Sequence, residues 1–140
     1  MHRSMARYGL VLILLALLTG IAVPSLALPR LGLSAHTIGL LGGTLLIAIA
    51  AIWPMFRLGD RPSRWCAGTW VYAIYTNWLG CLVGAATGSG RMTPMAADGA
   101  TGSAAAEAIV VFLLASGSLA AFIAVGLALR GIGGNAPDGA

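Results

Sequence analysis

A single histidine in an apolar stretch is the first side chain with an evident capacity for chemistry. His36 opens a long run of apolar residues, and Gly39 and Gly43 follow it after three and seven positions. On a helix these three residues share one face, so the imidazole is followed by a groove without side chains. Such a groove admits either a neighbouring helix, as in small-xxx-small packing, or a flat ligand.

The residues around His36 do not form a site with several protein ligands. No His, Cys, Asp or Glu lies within a helical turn of it, whereas zinc needs three or four ligands. A haem supplies its own nitrogens and needs only one histidine. His36 is therefore a candidate ligand of haem iron, with Gly39 and Gly43 as candidate contacts of the cofactor. An electron-transfer haem would need a second axial ligand, Met92 or Met95.

A second group of polar and aromatic side chains lies in the third apolar segment. Tyr72, Tyr75 and Trp78 recur every three residues, on or near one helix face. Asn77 lies among them, near the middle of the segment. This asparagine either binds a substrate or makes a hydrogen bond between helices. The tyrosines either line a site or pack and anchor the helix.

The absence of carboxylates from the apolar segments argues against a proton-coupled transporter, which needs an intramembrane carboxylate or a comparable relay. The sequence also has no Ser-His-Asp set and no phosphate-binding glycine loop. Cys66 and Cys81 lie roughly 22 Å apart along a helix, too far for a disulfide. We interpret both cysteines as packing residues.

The composition identifies the elements that must position these side chains as membrane helices. Of 140 residues, 59% are hydrophobic and 9% are charged, against about a quarter charged in soluble domains. We predict an all-α fold, a single membrane domain over 1–140 that forms an integral membrane bundle of four transmembrane helices. The predicted helices cover about 8–27, 35–56, 65–87 and 106–130, with Ser34 as N-cap of the second. The first is alternatively a signal peptide, although we favour a retained helix.

The arginines predict the orientation of the chain, because cytoplasmic segments carry the excess of positive charge. Arg30 and Arg91 lie on one side of the membrane in this four-helix topology. The other six lie on the side that holds both termini: Arg3, Arg7, Arg57, Arg61, Arg64 and Arg130. We therefore expect both termini in the cytoplasm, helices in contact with lipid, and no nucleic-acid partner.

Small residues recur at four-residue intervals on the last two helices. The positions are Gly80, Gly84 and Gly88 on the third helix and Ser116, Ala120, Ala124 and Ala128 on the fourth. Such stripes indicate close contact between helices. They offer more small-residue surface than one four-helix bundle needs, so we expect a homo-oligomer.

Three segments carry a resemblance to a known family. They are PRLGLSAHTIGLLGGTLLIAIAAIW, YTNWL and MTPMAADGATGS, and the resemblance extends from about Leu10 to Arg130. Together they resemble the hydroxylaminobenzene mutases, small isomerases of the bacterial inner membrane. The resemblance implies an enzyme that acts on a small aromatic substrate. It would move the hydroxyl of an aryl hydroxylamine from nitrogen to the ring and yield an aminophenol.

A more distant likeness is to styrene oxide isomerase, a homotrimer that opens an aryl epoxide to an aldehyde and binds b-type haem through a histidine. This likeness implies a homotrimer with ferric haem b, His36 as axial ligand, and the iron as a Lewis acid. It makes Asn77 a candidate for holding the substrate oxygen. Tyr75 and Tyr72 become further candidate catalytic residues, and Trp78 a candidate residue of the substrate pocket.

The sequence departs from the family pattern at three positions. Gly42 stands where the family has an asparagine six residues after the histidine. Ala73 and Cys81 stand where the epoxide isomerase has an aspartate and a tyrosine, four residues before and after its third-helix asparagine. We therefore predict a haem-dependent mutase. The alternatives are an aryl epoxide isomerase, a non-enzymatic membrane subunit and a haem electron carrier.

Overall fold

The computed structural model describes residues 2–133, and all regular structure in that range is helical. The helices are α1 His2–Ala22, α2 Pro29–Ile52, α3 Asp60–Thr87, the short α4 Pro94–Ala97, and α5 Ala104–Gly133. Two 3-10 turns, Val23–Ser25 and Trp53–Met55, extend α1 and α2. The prediction of an all-α fold is confirmed.

Three helical stretches are long and apolar enough to cross a membrane: His2–Ser25, Pro29–Met55 and Ala104–Gly133. Helix α3 has 28 residues, but its sequence is more polar, with a charged first turn and several threonines. The described part of the chain is thus that of a membrane protein with three candidate spans, where we had predicted four.

Helices α2 and α3 begin before the residues at which we predicted their starts. Helix α2 begins at Pro29, because the first helical turn does not need the N–H that proline lacks. Ser34 therefore lies inside α2 instead of capping it, and its hydroxyl donates to the Arg30 carbonyl over 3.1 Å. Helix α3 begins at Asp60, whose carboxylate suits the positive end of the helix dipole.

The long helices pack in chain order, α1 on α2, α2 on α3, and α3 on α5. Helices α3 and α5 are antiparallel, since Cys66 lies near Ala124 and Gly80 lies against Leu114. Helices α2 and α5 flank α3 but share no extensive contact. The hydrophobic core consequently lies mainly among α1, α2 and α3, and a gap remains between α2 and α5.

Glycines close the contacts between neighbouring helices of one chain. A Cβ on Gly9 would lie 2.6 Å from the Gly43 carbonyl oxygen, and a Cβ on Gly43 equally close to that of Gly9. On α3, Gly80 packs against Leu114, and a Cβ on Gly84 would lie 2.7 Å from a loop carbonyl. Because these glycines are used inside the chain, they do not by themselves argue for an oligomer.

The connection from α3 to α5 folds around a buried carboxylate. Helix α3 ends at Thr87, where Gly88 adopts a left-handed backbone with φ of 72°. Glu107 is only 6% exposed. Its carboxylate accepts the N–H of Gly102 over 2.9 Å and that of Arg91 over 3.2 Å. This role of Glu107 in holding the loop was not among the expectations drawn from the sequence.

Candidate functional site

The His36 imidazole lies half-buried against α1. Its Nδ1 is 2.7 Å from the carbonyl oxygen of Ala16. Gly20 lies one turn further along α1, and a Cβ there would approach Nδ1 to 2.6 Å. The absence of a side chain at Gly20 therefore allows the ring to reach the Ala16 carbonyl.

This contact determines which ring nitrogen of His36 is free. A carbonyl oxygen only accepts hydrogen bonds, so Nδ1 carries a proton, and in the neutral imidazole Nε2 keeps its lone pair. Metal-binding histidines are commonly oriented in this way through their other nitrogen. In that form Nε2 of His36 is the ring nitrogen available to a metal. Within residues 2–133 no three His, Cys, Asp or Glu side chains converge to hold an ion by themselves.

Gly39 and Gly43 do not border an open groove. A Cβ on Gly39 would lie 2.6 Å from the Ala16 Cβ and 2.9 Å from Cδ1 of Trp78. Gly43 contacts the backbone of Gly9. In the single chain, α1 and the indole fill the space in which we expected the macrocycle. In the single chain these glycines serve helix packing, and the expectation that they contact a cofactor stays a prediction.

A cleft opens between α2 and α5, with α3 as its floor, and we call it the α2–α5 cleft. Its volume is about 590 Å³, within the range of about 300–1,000 Å³ that is typical of small-molecule sites. Most of its lining is apolar. Its lining includes Ile38, Leu41 and Gly42 of α2, Trp70, Ala73, Ile74 and Asn77 of α3, and Gly117, Ser118 and Phe122 of α5.

Asn77 contributes the amide group of the α2–α5 cleft. Its side chain is exposed in the single chain, and none of the hydrogen bonds within the described range 2–133 involves its amide. An amide that faces an apolar environment without a partner is unfavourable. Asn77 is therefore available to bind a polar group that comes from outside the chain.

The two predicted catalytic tyrosines lie away from this cleft. The Tyr72 hydroxyl donates to Ser116 Oγ over 2.9 Å, and the Tyr75 hydroxyl donates to the Tyr8 carbonyl over 2.8 Å. Neither tyrosine lines the cleft. Asn77 is two residues past Tyr75, which is about 200° around the helix. Both hydroxyls are thus engaged in contacts between helices, and the catalytic role of the two tyrosines stays a prediction.

Trp78 does not form a wall of the cleft either. Its side chain is 8% exposed and belongs to the core among α1, α2 and α3, against Gly39. The indole Nε1 is buried without a hydrogen-bond partner. In the single chain Trp78 is thus a core residue, and its place in a substrate pocket stays a prediction. Trp70, which lies earlier on the same helix and on a different face, is the tryptophan that lines the cleft.

His36 and Asn77 are not brought together within one chain. His36 faces α1 through its bond to Ala16. On the same helix Ile38 lines the α2–α5 cleft, and two residues correspond to about 200° of rotation. The imidazole and the amide therefore occupy opposite sides of α2. Within the described residues of one chain, the two groups therefore do not form a single site.

Two positions at which the sequence departs from the family pattern lie in the cleft. Gly42 and Ala73 both line it, whereas Cys81 is buried in the core. A Cβ on Gly42 would collide with the Ile74 side chain, so the neighbouring isoleucine occupies the space there. Ser118 is a second polar side chain of the cleft, and it was not among the site residues predicted from the sequence. The one signal in the sequence was the position of Ser118 next to the small-residue stripe of its helix, which indicated that this part of α5 lies near α3.

Comparisons of the sequence with known proteins show the family of the chain. The sequence model of the family described as styrene oxide isomerase matches residues 1–133, so the chain belongs to that family. Hydroxylaminobenzene mutase HabB of Ectopseudomonas oleovorans is 43% identical over 131 residues, which cover 93% of this chain and 80% of the relative. Hydroxylaminobenzene mutase HabA of the same organism is 39% identical over 128 residues, covering 89% and 93%.

These identities extend over most of both chains, and they show that the protein is an enzyme of the isomerase class, of the mutase type. They also agree with the family that the sequence segments indicated. No solved structure matches the chain significantly.

Proposed function

We propose that the protein rearranges an aryl hydroxylamine to an aminophenol in the α2–α5 cleft, with Asn77 binding the substrate oxygen and haem b bound through His36. The observation that carries the proposal is the unpaired Asn77 amide in an apolar cleft of small-molecule size. It occurs in a chain 43% identical to hydroxylaminobenzene mutase HabB. An aryl hydroxylamine offers a ring to the apolar walls and an N–OH group to the amide.

The proposed reaction conserves atoms and electrons. The N–O bond breaks, a C–O bond forms on the ring, and the proton displaced from that ring carbon goes to nitrogen. Asn77 would donate its amide N–H to the oxygen and hold it near the ring. The apolar lining would keep out water, which otherwise competes as a nucleophile.

His36 suits haem binding because the Ala16 carbonyl orients its ring and leaves Nε2 free. When bound there, ferric haem would supply a Lewis acid that withdraws electron density from a substrate heteroatom. This role requires no net redox change, in agreement with an isomerase. The residues of this chain would supply the imidazole nitrogen that holds the iron, the carbonyl that orients the imidazole, and the amide in the cleft.

We further propose that the active enzyme is a homotrimer in which the His36 face of one copy approaches the α2–α5 cleft of the next. Two facts support this arrangement. His36 and Asn77 lie on opposite sides of α2 in one chain. The cleft also lacks a closing helix, because α2 and α5 share no extensive contact.

A bacterial inner-membrane location with four spans and cytoplasmic termini also belongs to this proposal. Helix α3 has 28 residues, enough for about 42 Å, and it lies between α2 and α5. Its hydroxyls are satisfied internally, as when Thr76 donates to the Tyr72 carbonyl over 2.8 Å. Exposed apolar side chains such as Ile21 on α1 and Phe122 on α5 suit contact with lipid.

The cleft favours a mutase over an aryl epoxide isomerase. Ala73 lines the cleft at the position where the epoxide isomerase has an aspartate, and no carboxylate is among the lining residues. The chemistry that such a carboxylate would support is therefore not built into this cleft. The non-enzymatic subunit and the electron carrier are disfavoured because both relatives are named as mutases.

The proposal is tested by turnover of phenylhydroxylamine with purified protein in detergent. We expect a Soret band in the preparation and formation of an aminophenol without NADH, oxygen or an added reductant. Phenylhydroxylamine labelled with oxygen-18 should keep its label in the product, since the transfer is intramolecular. Loss of the label to water, or a requirement for a reductant, would contradict the proposal.

A further inference from the structure

We propose that Ser118 on α5 recognises the substrate nitrogen by accepting a hydrogen bond from an aryl N–H group in the α2–α5 cleft. This inference rests on the proposed function and deepens it, because it names the feature that selects aryl amines and hydroxylamines among aromatic ligands. Asn77 and Ser118 would then bind the two heteroatoms of an N–OH group from two different helices.

The two side chains lie at the same level of the cleft. A Cβ on Gly117 of α5 would contact Oγ1 of Thr76 on α3 and lie 3.3 Å from the Ala73 carbonyl. Ser118 directly follows Gly117, and Asn77 directly follows Thr76. Both Ser118 and Asn77 line the cleft. A small ligand on the floor of the cleft can therefore contact both at once.

Hydrogen-bond accounting assigns Ser118 the role of acceptor. Its hydroxyl has one donor hydrogen, and that hydrogen is directed to the Leu114 carbonyl over 2.8 Å. The remaining capacity of the oxygen is its lone pairs. Asn77 can donate as well as accept, whereas the indole of Trp70 can only donate. With its hydrogen engaged in that bond, Ser118 offers its lone pairs as an acceptor in a largely apolar lining, and this suits a donor from the ligand.

This chemistry distinguishes classes of aromatic ligand. A primary or secondary aryl amine, or an aryl hydroxylamine, carries the N–H that Ser118 needs. An aryl epoxide carries no donor, and a fully alkylated aryl amine carries none either. Ser118 is therefore a specificity-determining residue that favours nitrogen substrates over epoxides. Two contacts from two helices would also fix the orientation of the ring relative to the migrating oxygen.

A binding experiment tests the inference without turnover. The dissociation constants of aniline and of N,N-dimethylaniline are measured by equilibrium dialysis against detergent-matched buffer, for the wild type and for Ser118→Ala. We expect the ratio of the two constants to shift by about fivefold to tenfold against aniline in Ser118→Ala, the loss of one hydrogen bond. Each amine partitions into detergent to the same extent with either protein, so the shift of the ratio between wild type and variant does not depend on partitioning.

Thr44→Val is the matched control. Thr44 lies on α2, is exposed, does not line the cleft, and donates to the Leu40 carbonyl over the same 2.8 Å. The Thr44→Val variant therefore loses an equivalent hydrogen bond within a helix, and the cleft stays unchanged. We expect the wild-type ratio of dissociation constants in this variant.

The outcomes separate this inference from the proposed function. If Ser118→Ala weakens both amines equally, or neither, the serine is a packing residue and the inference is overturned. If the wild type fails to convert phenylhydroxylamine yet shows the amine selectivity that depends on Ser118, the proposed reaction fails and the recognition of an N–H group is supported. Turnover in wild type with unchanged selectivity in Ser118→Ala overturns the inference alone.

Discussion

The two sides of α2 differ in how completely they are packed. On the side of α1, Gly9 and Gly43 bring the two backbones into contact, and the His36 ring reaches a carbonyl of the neighbouring helix. On the opposite side, α2 and α5 stand apart and leave the α2–α5 cleft, in which Asn77 finds no partner among the described residues.

Because of this difference, one small bundle can hold the His36 imidazole in a set orientation and leave the Asn77 amide available to a ligand. A polar group in a closed interface is held by its neighbours, and its geometry is set before any ligand arrives. A polar group in an open cleft keeps its hydrogen-bonding capacity for a ligand, although an unpaired amide in an apolar setting is costly. The predictions below test whether the two sides have these separate roles.

The largest effect is expected from combining variants of the two sides. His36→Ala should lose the Soret band and turnover, and Asn77→Ala should lower turnover at least about tenfold, equivalent to 1.4 kcal/mol, with an intact spectrum. If neighbouring copies share the site, co-expression of the two variants should restore more activity than the separately prepared variants sum to. The measurement is aminophenol formation per bound haem.

Two controls accompany this complementation experiment. Thr37→Ala changes the exposed residue next to the histidine, whose hydroxyl donates to the Leu33 carbonyl over 3.0 Å, and should keep the Soret band. The two variants mixed after separate purification should show no rescue when the oligomers do not exchange subunits. The absence of rescue upon co-expression would contradict a site shared between copies.

A smaller effect is expected from filling the closed interface. Gly43→Ala places a Cβ 2.6 Å from the Gly9 carbonyl oxygen, so the helices must separate. We expect the free energy of unfolding to fall by about 1–3 kcal/mol, read as a lower thermal midpoint in detergent. Gly126→Ala is the control, because nothing lies within 4 Å of a Cβ there. A shift of similar size and sign in both variants would show that the interface is not closed as described.

The smallest effect is expected for Tyr75→Phe. The substitution removes the hydrogen bond to the Tyr8 carbonyl and should cost about 0.5–1.5 kcal/mol of stability. Since Tyr75 does not line the cleft, kcat/KM for phenylhydroxylamine should stay within about twofold of wild type. A loss of kcat/KM as large as that in Asn77→Ala would show that Tyr75 acts in catalysis.

The sequence predicted the fold class because apolar runs of bilayer length have few alternatives to helices. It also identified His36 and Asn77, since a histidine or asparagine in such a run is uncommon enough to attract notice. The spacing of Tyr72 and Tyr75 placed them on or near one helix face. Spacing alone cannot say which neighbour each side chain meets: Tyr72 contacts α5 through Ser116, whereas Tyr75 contacts α1 through the Tyr8 carbonyl.

Two features of the site required the structure. Gly39 was compatible with a cofactor groove or a packed helix, and only the structure showed that it packs against Ala16 and Trp78 in the single chain. Ser118 became a candidate only when the gap between α2 and α5 exposed it beside Asn77. Both depend on contacts between segments far apart in the chain, which residue spacing within one helix does not report.

The bond between Ala16 and His36 also has a consequence for biosynthesis. It joins residues 20 positions apart in the first two helices, so the hairpin that orients the imidazole leaves the ribosome before α5 does. The cleft needs α5, the last long helix to leave the ribosome. During insertion into the membrane the imidazole therefore acquires its orientation early, and the cavity for a ligand forms last.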